Sequence, residues 1–169
     1  LGDVYKRQME LIVPSQGKLF GYIMPLRPKN YKSIVDLMKN RVNPSFYVIC
    51  RTAFNLTKGY RNLHIAGAKY QDISFGNLFF NPDNGDVLIC DNDNVSYGNS
   101  KPGGVLGTPG FMAPEIVRGE ARPSRDTDRY SLAVLLFYLF MVNHPLEGKQ
   151  EASIKCMDMA ARVKLYGTD

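Results

Sequence analysis

The sequence predicts an α+β fold that is mainly helical and carries a β-hairpin near its middle. Two short apolar runs, residues 78–80 and 87–90, flank residues 81–86, which are rich in turn formers and contain an Asn-Gly pair. Apolar residues recur at helical spacing over residues 46–63, and a continuous apolar stretch covers residues 132–142. These patterns predict a long amphipathic helix before the hairpin and a buried helix after it.

Helix boundaries follow from residues that start or stop helices. Asn43-Pro44 is expected to start the long helix, with proline at the first helical position, and the helix should continue to about His64. A shorter helix is expected near residues 33–40. The buried helix is expected over residues 128–142, and it is too short to span a bilayer.

Three polar residues lie at the edge of the predicted hairpin, namely Asp72, Asn77 and Asp91. A turn centred near Asn84 pairs Phe80 with Leu88, Phe79 with Ile89, Leu78 with Cys90 and Asn77 with Asp91. Directly opposed side chains lie about 4.5–5.5 Å apart at Cβ, so Asn77 and Asp91 are expected to share one Mg²⁺. A slip of one residue would place them on opposite faces.

This order of residues resembles the catalytic core of eukaryotic-like, bacterial-type serine/threonine protein kinases. The resemblance implies a protein-kinase-like fold, mainly the helical C-lobe with a catalytic-loop hairpin and residual N-lobe strands. It implies that Asp72 accepts the proton of the substrate hydroxyl and that Asn77 and Asp91 bind magnesium. Ala113-Pro114-Glu115 matches the end of the activation segment, and Asp128 matches the aspartate that holds the catalytic loop from below.

The resemblance implies roles for three further residues. Thr108 lies in a run that resembles the peptide-positioning loop and is expected to hydrogen-bond Asp72 and orient it. Ser74 stands where many serine/threonine kinases have a lysine that contacts the γ-phosphate, and it is the remaining catalytic candidate. Glu115 is a structural candidate, because in the family it forms a buried ion pair with an arginine of a late helix.

A segment near the N-terminus resembles the last N-lobe strand and the hinge, with Met24 at the gatekeeper position. Backbone groups of Pro25, Leu26 and Arg27 are then expected to bind adenine, with Phe79 as the floor under its ring. Proline keeps its carbonyl although it offers no N–H. The implied cofactors are ATP and Mg²⁺, and the implied partner is a protein substrate with a serine or threonine hydroxyl.

The domain organisation expected from the resemblance is that of an incomplete catalytic domain. Residues 1–8 resemble translated sequencing-adapter sequence and are set aside from fold reasoning. Residues 9–27 are expected to form the last N-lobe strands and the hinge, and residues 28–169 a C-lobe that stops before its final helices. The family's glycine-rich loop, strand lysine and helix glutamate have no match. We therefore expect this chain to be inactive alone and Glu115 to lack its arginine.

Departures from the family pattern leave two alternative functions open. Asn92-Asp93 replaces the usual Phe-Gly, and Gln71 replaces an arginine that reads phosphate on the activation segment. These changes favour a pseudokinase or nucleotide-binding scaffold, whereas the three retained polar residues at the hairpin edge argue against one. A small-molecule phosphotransferase also has those three residues, but it generally lacks the segment from Gly107 to Glu115.

Composition is ordinary for a globular protein, with 44% hydrophobic and 22% charged residues. The net charge is +5, but the basic residues are scattered among acidic ones, so nucleic-acid binding is not expected. Three cysteines have no paired spacing, and two histidines cannot build a Cys/His metal site. These features favour a reducing, cytoplasmic location, and no segment reads as a membrane span.

Overall fold

The computed structural model describes residues 10–12, 21–23, 25–98, 105–154 and 158–167. The strands in these ranges are β1 (Glu10–Ile12), β2 (Gly21–Ile23), β3 (Lys32–Ser33), β4 (Ala68–Lys69), β5 (Leu78–Phe80), β6 (Val87–Ile89) and β7 (Ser96–Tyr97). The helices are α1 (Ile34–Met38), α2 (Phe46–Ile65), α3 (Pro114–Val117), α4 (Arg125–Met141), α5 (Lys149–Ala152) and α6 (Met159–Tyr166). The predicted α+β class, mainly helical, is confirmed.

The strands of the described residues pair antiparallel, as β1 with β2, β3 with β5, β5 with β6, and β4 with β7. In the central sheet, Lys32 faces Phe80 and Ser33 faces Phe79. Because Ser33 also caps α1, this pairing places the start of α1 beside the first strand of the hairpin.

The hairpin between β5 and β6 forms, but its predicted register is wrong by one residue. Leu78 faces Ile89, Phe79 faces Leu88 and Phe80 faces Val87. Beyond the strands, the N–H of Cys90 donates to the carbonyl oxygen of Asn77 at 2.8 Å. Asn77 therefore lies opposite Cys90, and the predicted pairing of Asn77 with Asp91 does not occur.

The loop of the hairpin explains this register. The N–H of Asn81 donates to the carbonyl of Asp86, and the N–H of Gly85 to the carbonyl of Asn81, both at 2.8 Å. This pairing centres the turn ahead of Asn84. Gly85 has φ of 74°, and a Cβ there would lie 2.9 Å from the carbonyl oxygen of Val48 in α2. Only glycine fits this close approach, so packing against α2 helps to set the register.

Serine caps define where the helices begin. The hydroxyl of Ser33 caps α1, within the predicted region. Ser45 caps α2, which therefore starts after it and not at the predicted Pro44. Ser124 caps α4 in the same way, so this helix starts before the predicted Asp128 and includes that residue in its first turn.

The core lies between α2, α4 and the hairpin. Its largest side chains with under 2% exposure are Ile34, Leu56, Tyr60, Tyr70, Ile73, Leu78, Phe80, Leu135 and Leu139. Tyr60 and Tyr70 meet edge to face with ring centroids 5.5 Å apart. Tyr70 and Ile73 flank the candidate catalytic residue Asp72, so the loop that carries it rests directly on the core. None of the helices in the described ranges combines the length and apolarity that a bilayer span requires.

Candidate active site

Asp72 lies in the loop between β4 and β5 and is partly buried. Its Oδ1 accepts a hydrogen bond from the Thr108 hydroxyl at 2.5 Å. Its Oδ2 accepts one from Nδ2 of Asn77 at 3.0 Å, and the same amide nitrogen donates to the carbonyl oxygen of Asp72 at 2.9 Å. The structure thus brings three predicted site residues together, with the carboxylate held from two sides.

Asp128 holds the backbone just before Asp72. Its carboxylate is 2% exposed and accepts the N–H of Tyr70 at 2.7 Å and the N–H of Gln71 at 2.9 Å. Nε2 of His64 donates to the same carboxylate at 3.0 Å. Two buried backbone donors are therefore satisfied by one side chain. The pairing with His64, 64 positions away in the sequence, was not predicted.

Tyr70 connects the catalytic loop to the segment that carries Asp91. Its hydroxyl donates to the carbonyl oxygen of Cys90, the residue before Asp91. Burial raises the pKa of Tyr70, and the negative charges of Asp91 and Asp72 raise it further. Both carboxylates therefore lie within electrostatic reach of one phenol.

Asp91 lies two residues after the second hairpin strand and has a left-handed conformation, with φ of 59° and ψ of 65°. Among residues other than glycine, aspartate is one of the few that are found often in this left-handed region. The strand ends at Ile89, and a 3-10 turn at Asn92–Asn94 follows directly after Asp91. Strand alternation therefore does not decide where the exposed Asp91 carboxylate points. The register argument for a metal shared with Asn77 is therefore lost.

The donor atoms of Asn77 and Asp91 still suit magnesium. Because Nδ2 of Asn77 faces Asp72, its amide oxygen is the atom left for a cation. Within the described ranges, no group of three or more His, Cys, Asp or Glu side chains is arranged to hold a metal. Two oxygen donors match a cation that takes its other ligands from water and phosphate, as Mg²⁺ usually does.

Gln71 ties the catalytic loop to the segment after Asp91. It has φ of 74° and is buried. Its Nε2 donates to the carbonyl of Asn94 at 2.8 Å and to the hydroxyl of Ser96 at 2.6 Å. Sequence reasoning noted only that Gln71 lacks a charge. The spacing of Gln71, Asn94 and Ser96 along the chain does not predict these contacts between neutral groups.

The segment around Thr108 is docked on α4 and the loop after it. The Ser131 hydroxyl donates to the carbonyl of Phe111 at 2.6 Å. Nε2 of His144 donates to the carbonyl of Gly110 at 2.8 Å, while its Nδ1 accepts the N–H of Leu146 at 3.0 Å. Burial lowers the pKa of His144. Both ring nitrogens are thus used by the neutral imidazole, and this docking positions Thr108 against the catalytic loop.

Ser74 is not part of the hydrogen-bonded network of the three site residues. It precedes a 3-10 turn at Phe75–Asn77 and is 5% exposed, and its side chain does not cap that turn. No hydrogen bond joins its hydroxyl to Asp72 in the described part of the chain. Its role stays a prediction.

At the candidate nucleotide site, the structure brings together Arg27 and Phe79. The Arg27 guanidinium lies over the Phe79 ring, 4.2 Å from its centroid. Pro25 is exposed, and Leu26 is 91% exposed. Met24 falls outside the described residues. Adenine binding by these residues stays a prediction.

Glu115 lies partly buried in α3. Its charge, together with the larger effect of burial, raises the pKa of Tyr130. No ion pair to the Glu115 carboxylate occurs among the residues that the structure describes. The expectation that Glu115 lacks the family's arginine partner stays a prediction.

Comparison with known proteins agrees with the fold. A model of the protein kinase domain family matches residues 23–168, and the chain belongs to that family. It is 29% identical over 119 residues to the probable serine/threonine-protein kinase CCRP1 of Zea mays, a match that covers 69% of this chain and 19% of the maize protein. It is 33% identical over 100 residues to protein kinase C-like 1 of Candida albicans, covering 57% of this chain and 9% of that protein.

A solved structure shows the same fold. It is a chain of the yeast RNA Pol II CTD kinase CTDK-1 complex, with a TM-score of 0.67 and 22% sequence identity, covering 94% of this chain and 50% of that chain. The chain thus spans a small part of the length of its curated relatives and half of this structural relative. Placement in a bacterial-type subgroup stays a prediction.

Proposed function

We propose that this chain carries the catalytic residues of an ATP-dependent serine/threonine protein kinase. The observation that carries the proposal is the Asp72 carboxylate, held at Oδ1 by Thr108 and at Oδ2 by Asn77. A carboxylate restrained from two sides, on a loop fastened by the buried Asp128, is suited to orienting a substrate hydroxyl. The serine/threonine kinases among its relatives support the same activity.

In the proposed reaction, the substrate hydroxyl oxygen bonds to the γ-phosphorus of ATP while the bond to the bridging β–γ oxygen breaks and ADP leaves. The hydroxyl proton passes to the Asp72 carboxylate. Each carboxylate oxygen accepts one hydrogen bond from the chain and keeps a lone pair for the substrate. Because the transition state of phosphoryl transfer is loose, positioning by these residues supplies much of the catalysis.

Asn77, through its amide oxygen, and Asp91 are the proposed magnesium ligands. Bound magnesium would neutralise charge on the phosphates. We assign adenine binding to the backbone of Pro25, Leu26 and Arg27, with the Phe79 ring beneath it. The same proposal keeps Met24 as the gatekeeper.

A scaffold without transfer activity is the second candidate, because one observation favours it. The Arg27 guanidinium lies over the Phe79 ring, the face that adenine would need. An ATP-binding kinase must move Arg27 off this ring, whereas a scaffold need not.

Transfer of radiolabelled phosphate by the full-length gene product tests the proposal. Asp72→Asn keeps the size of the side chain but removes the proton acceptor, so we expect the transfer rate to fall by about 10²–10⁴-fold. The matched control is Asp83→Asn, since Asp83 is an exposed carboxylate in the hairpin loop. Equal transfer rates for Asp72→Asn and wild type would refute the proposed role. If neither protein transferred phosphate from ATP, the result would favour the scaffold.

A further inference from the structure

An open cavity of about 460 Å³ lies beside the start of α1. Most of the side chains that line it are cationic, and the full lining is Arg27, Lys29, Tyr31, Lys32, Asp36, Arg41 and Val42. Four cations face a single carboxylate, so the cavity has an excess of positive charge. Such a concentration favours an anionic ligand.

The carboxylate of Asp36 is already engaged by its own helix. Its Oδ2 accepts hydrogen bonds from the N–H and the hydroxyl of Ser33, at 3.1 and 3.0 Å. These bonds lower the pKa of Asp36, and its Oδ1 pairs with Arg41 at 3.2 Å. Asp36 therefore offsets one cation, Arg41, and leaves the other three.

Those three cations are Arg27, Lys29 and Lys32. Arg27 donates to the carbonyl of Tyr31 at 3.1 Å and lies over Phe79. Neither Lys29 nor Lys32 forms an ion pair with a carboxylate in the described ranges. Their ammonium groups are free to meet a ligand.

The cavity is connected to the candidate active site through strand β5. Lys32 faces Phe80 and its neighbour Ser33 faces Phe79 on β5, and β5 begins directly after Asn77. Asn77 comes three residues before Phe80, about 10 Å at the rise of a strand, so a peptide that reaches Asp72 is long enough to meet the cavity as well. The positive charge is local, whereas nucleic acid is bound by an extended basic stripe.

We propose that this cavity binds aspartate or glutamate side chains that flank the phosphorylated hydroxyl of the protein substrate. The proposal rests on the proposed kinase function and specifies its substrate class, an acidic peptide. Lys29 and Lys32 are the residues that select it. Because the cavity is open to solvent, the attraction is screened by salt.

Peptide binding to the full-length gene product tests the proposal without requiring catalysis. Two fluorescent serine peptides are compared by anisotropy, one with flanking glutamates and one with glutamines in their place. We expect tighter binding of the glutamate peptide, and a preference that weakens with added salt. Lys29→Glu with Lys32→Glu should weaken glutamate-peptide binding about tenfold or more, since two attractions become repulsions.

The matched control is Lys58→Glu with Arg61→Glu, which makes the same charge change at exposed positions of α2. It should leave the preference for the glutamate peptide intact. Equal binding of both peptides, or an equal loss in the control, overturns the proposal. The proposal is also overturned if the Lys29→Glu, Lys32→Glu variant binds ATP more weakly but binds both peptides as wild type does. The two lysines would then bind the phosphates of the nucleotide.

Radiolabel transfer to the glutamate peptide reports on the kinase function separately. Its absence with the glutamate preference intact overturns the proposed function and leaves the acidic-peptide site standing. Transfer without a preference for the glutamate peptide supports the kinase function and overturns the acidic-peptide site. The two failures are therefore distinguishable.

Discussion

The Thr108 hydroxyl donates a hydrogen bond of 2.5 Å to Oδ1 of Asp72 across 36 positions of the chain. Thr108 reaches Asp72 because the segment that carries it is docked through Ser131 and His144. The orientation of the carboxylate therefore depends on the docking of that segment. Loss of the contacts that Ser131 and His144 make with this segment should lower the rate of phosphate transfer more than it lowers the stability of the core.

Thr108→Val removes the hydroxyl while keeping the shape of the side chain. Hydrogen bonds to charged groups contribute roughly 1.5–3 kcal/mol, so we expect the kcat of phosphate transfer to fall about 10- to 100-fold. The KM for ATP should stay unchanged, because Thr108 orients the carboxylate and not the nucleotide. Thr108→Ser keeps the hydroxyl and should restore most of the rate in the same steady-state assay.

Asp128→Ala should destabilise the domain strongly. The change leaves the buried N–H groups of Tyr70 and Gln71 without their acceptor, and each such loss costs about 1–3 kcal/mol. We expect the free energy of unfolding in urea to fall by about 3 kcal/mol or more. Asp126→Ala is the control, since its side chain is 80% exposed and should cost under about 1 kcal/mol. Equal losses in both variants would contradict the role of Asp128.

Activity should not depend on phosphorylation of the activation segment. Gln71 carries no charge to pair with phosphate, and its amide already binds Asn94 and Ser96. Phosphatase treatment of the full-length protein should therefore leave the transfer rate unchanged. Loss of activity after that treatment would show the prediction to be wrong.

The side chain of Gln71 should matter for the order of the segment it holds. Gln71→Ala keeps the same backbone constraint at positive φ but removes both hydrogen bonds. We expect faster amide hydrogen exchange at residues 94–96 and a several-fold lower transfer rate. Ser96→Ala removes one of the two contacts and should show a smaller effect in both measurements.

Stability should fall as the pH is lowered through the ordinary histidine pKa of 6.5. Burial lowers the pKa of His144 in the folded state, so below pH 6.5 the unfolded chain binds a proton that the folded protein does not. The free energy of unfolding then decreases with falling pH, and His144 contributes no such change above that range. Urea titrations at pH 7.5 and pH 5.5 measure the difference. His144→Gln should reduce it, and an unchanged difference in that variant would count against the assignment.

Part of the site could be predicted from the order of its motifs. The contact between Thr108 and Asp72 was expected from sequence, and the structure contains it. The contact of His64 with Asp128 was missed, although Asp128 had been assigned a structural role. Neighbouring motifs along a chain suggest which residues belong to one cleft, but they do not say which atoms meet.

The hairpin shows the same limit at the level of the backbone. Its two strands and its turn were evident from apolar runs and turn formers, yet its register was wrong by one residue. A register shift changes no local preference, because every residue stays in an extended conformation. The loop's own hydrogen bonds and the fit of Gly85 against α2 decided between the alternatives.

The sequence by itself determined the fold class, the helices α1, α2 and α4 with their approximate ends, the presence of the hairpin and the order of the polar residues. These follow from periodicity, capping and turn chemistry, which act over a few neighbouring residues. Tertiary structure decided the hairpin register, the left-handed turn at Asp91, the triple use of the Asp128 carboxylate and the cationic cavity beside α1. Such features depend on packing between distant segments, whose energies no local pattern records.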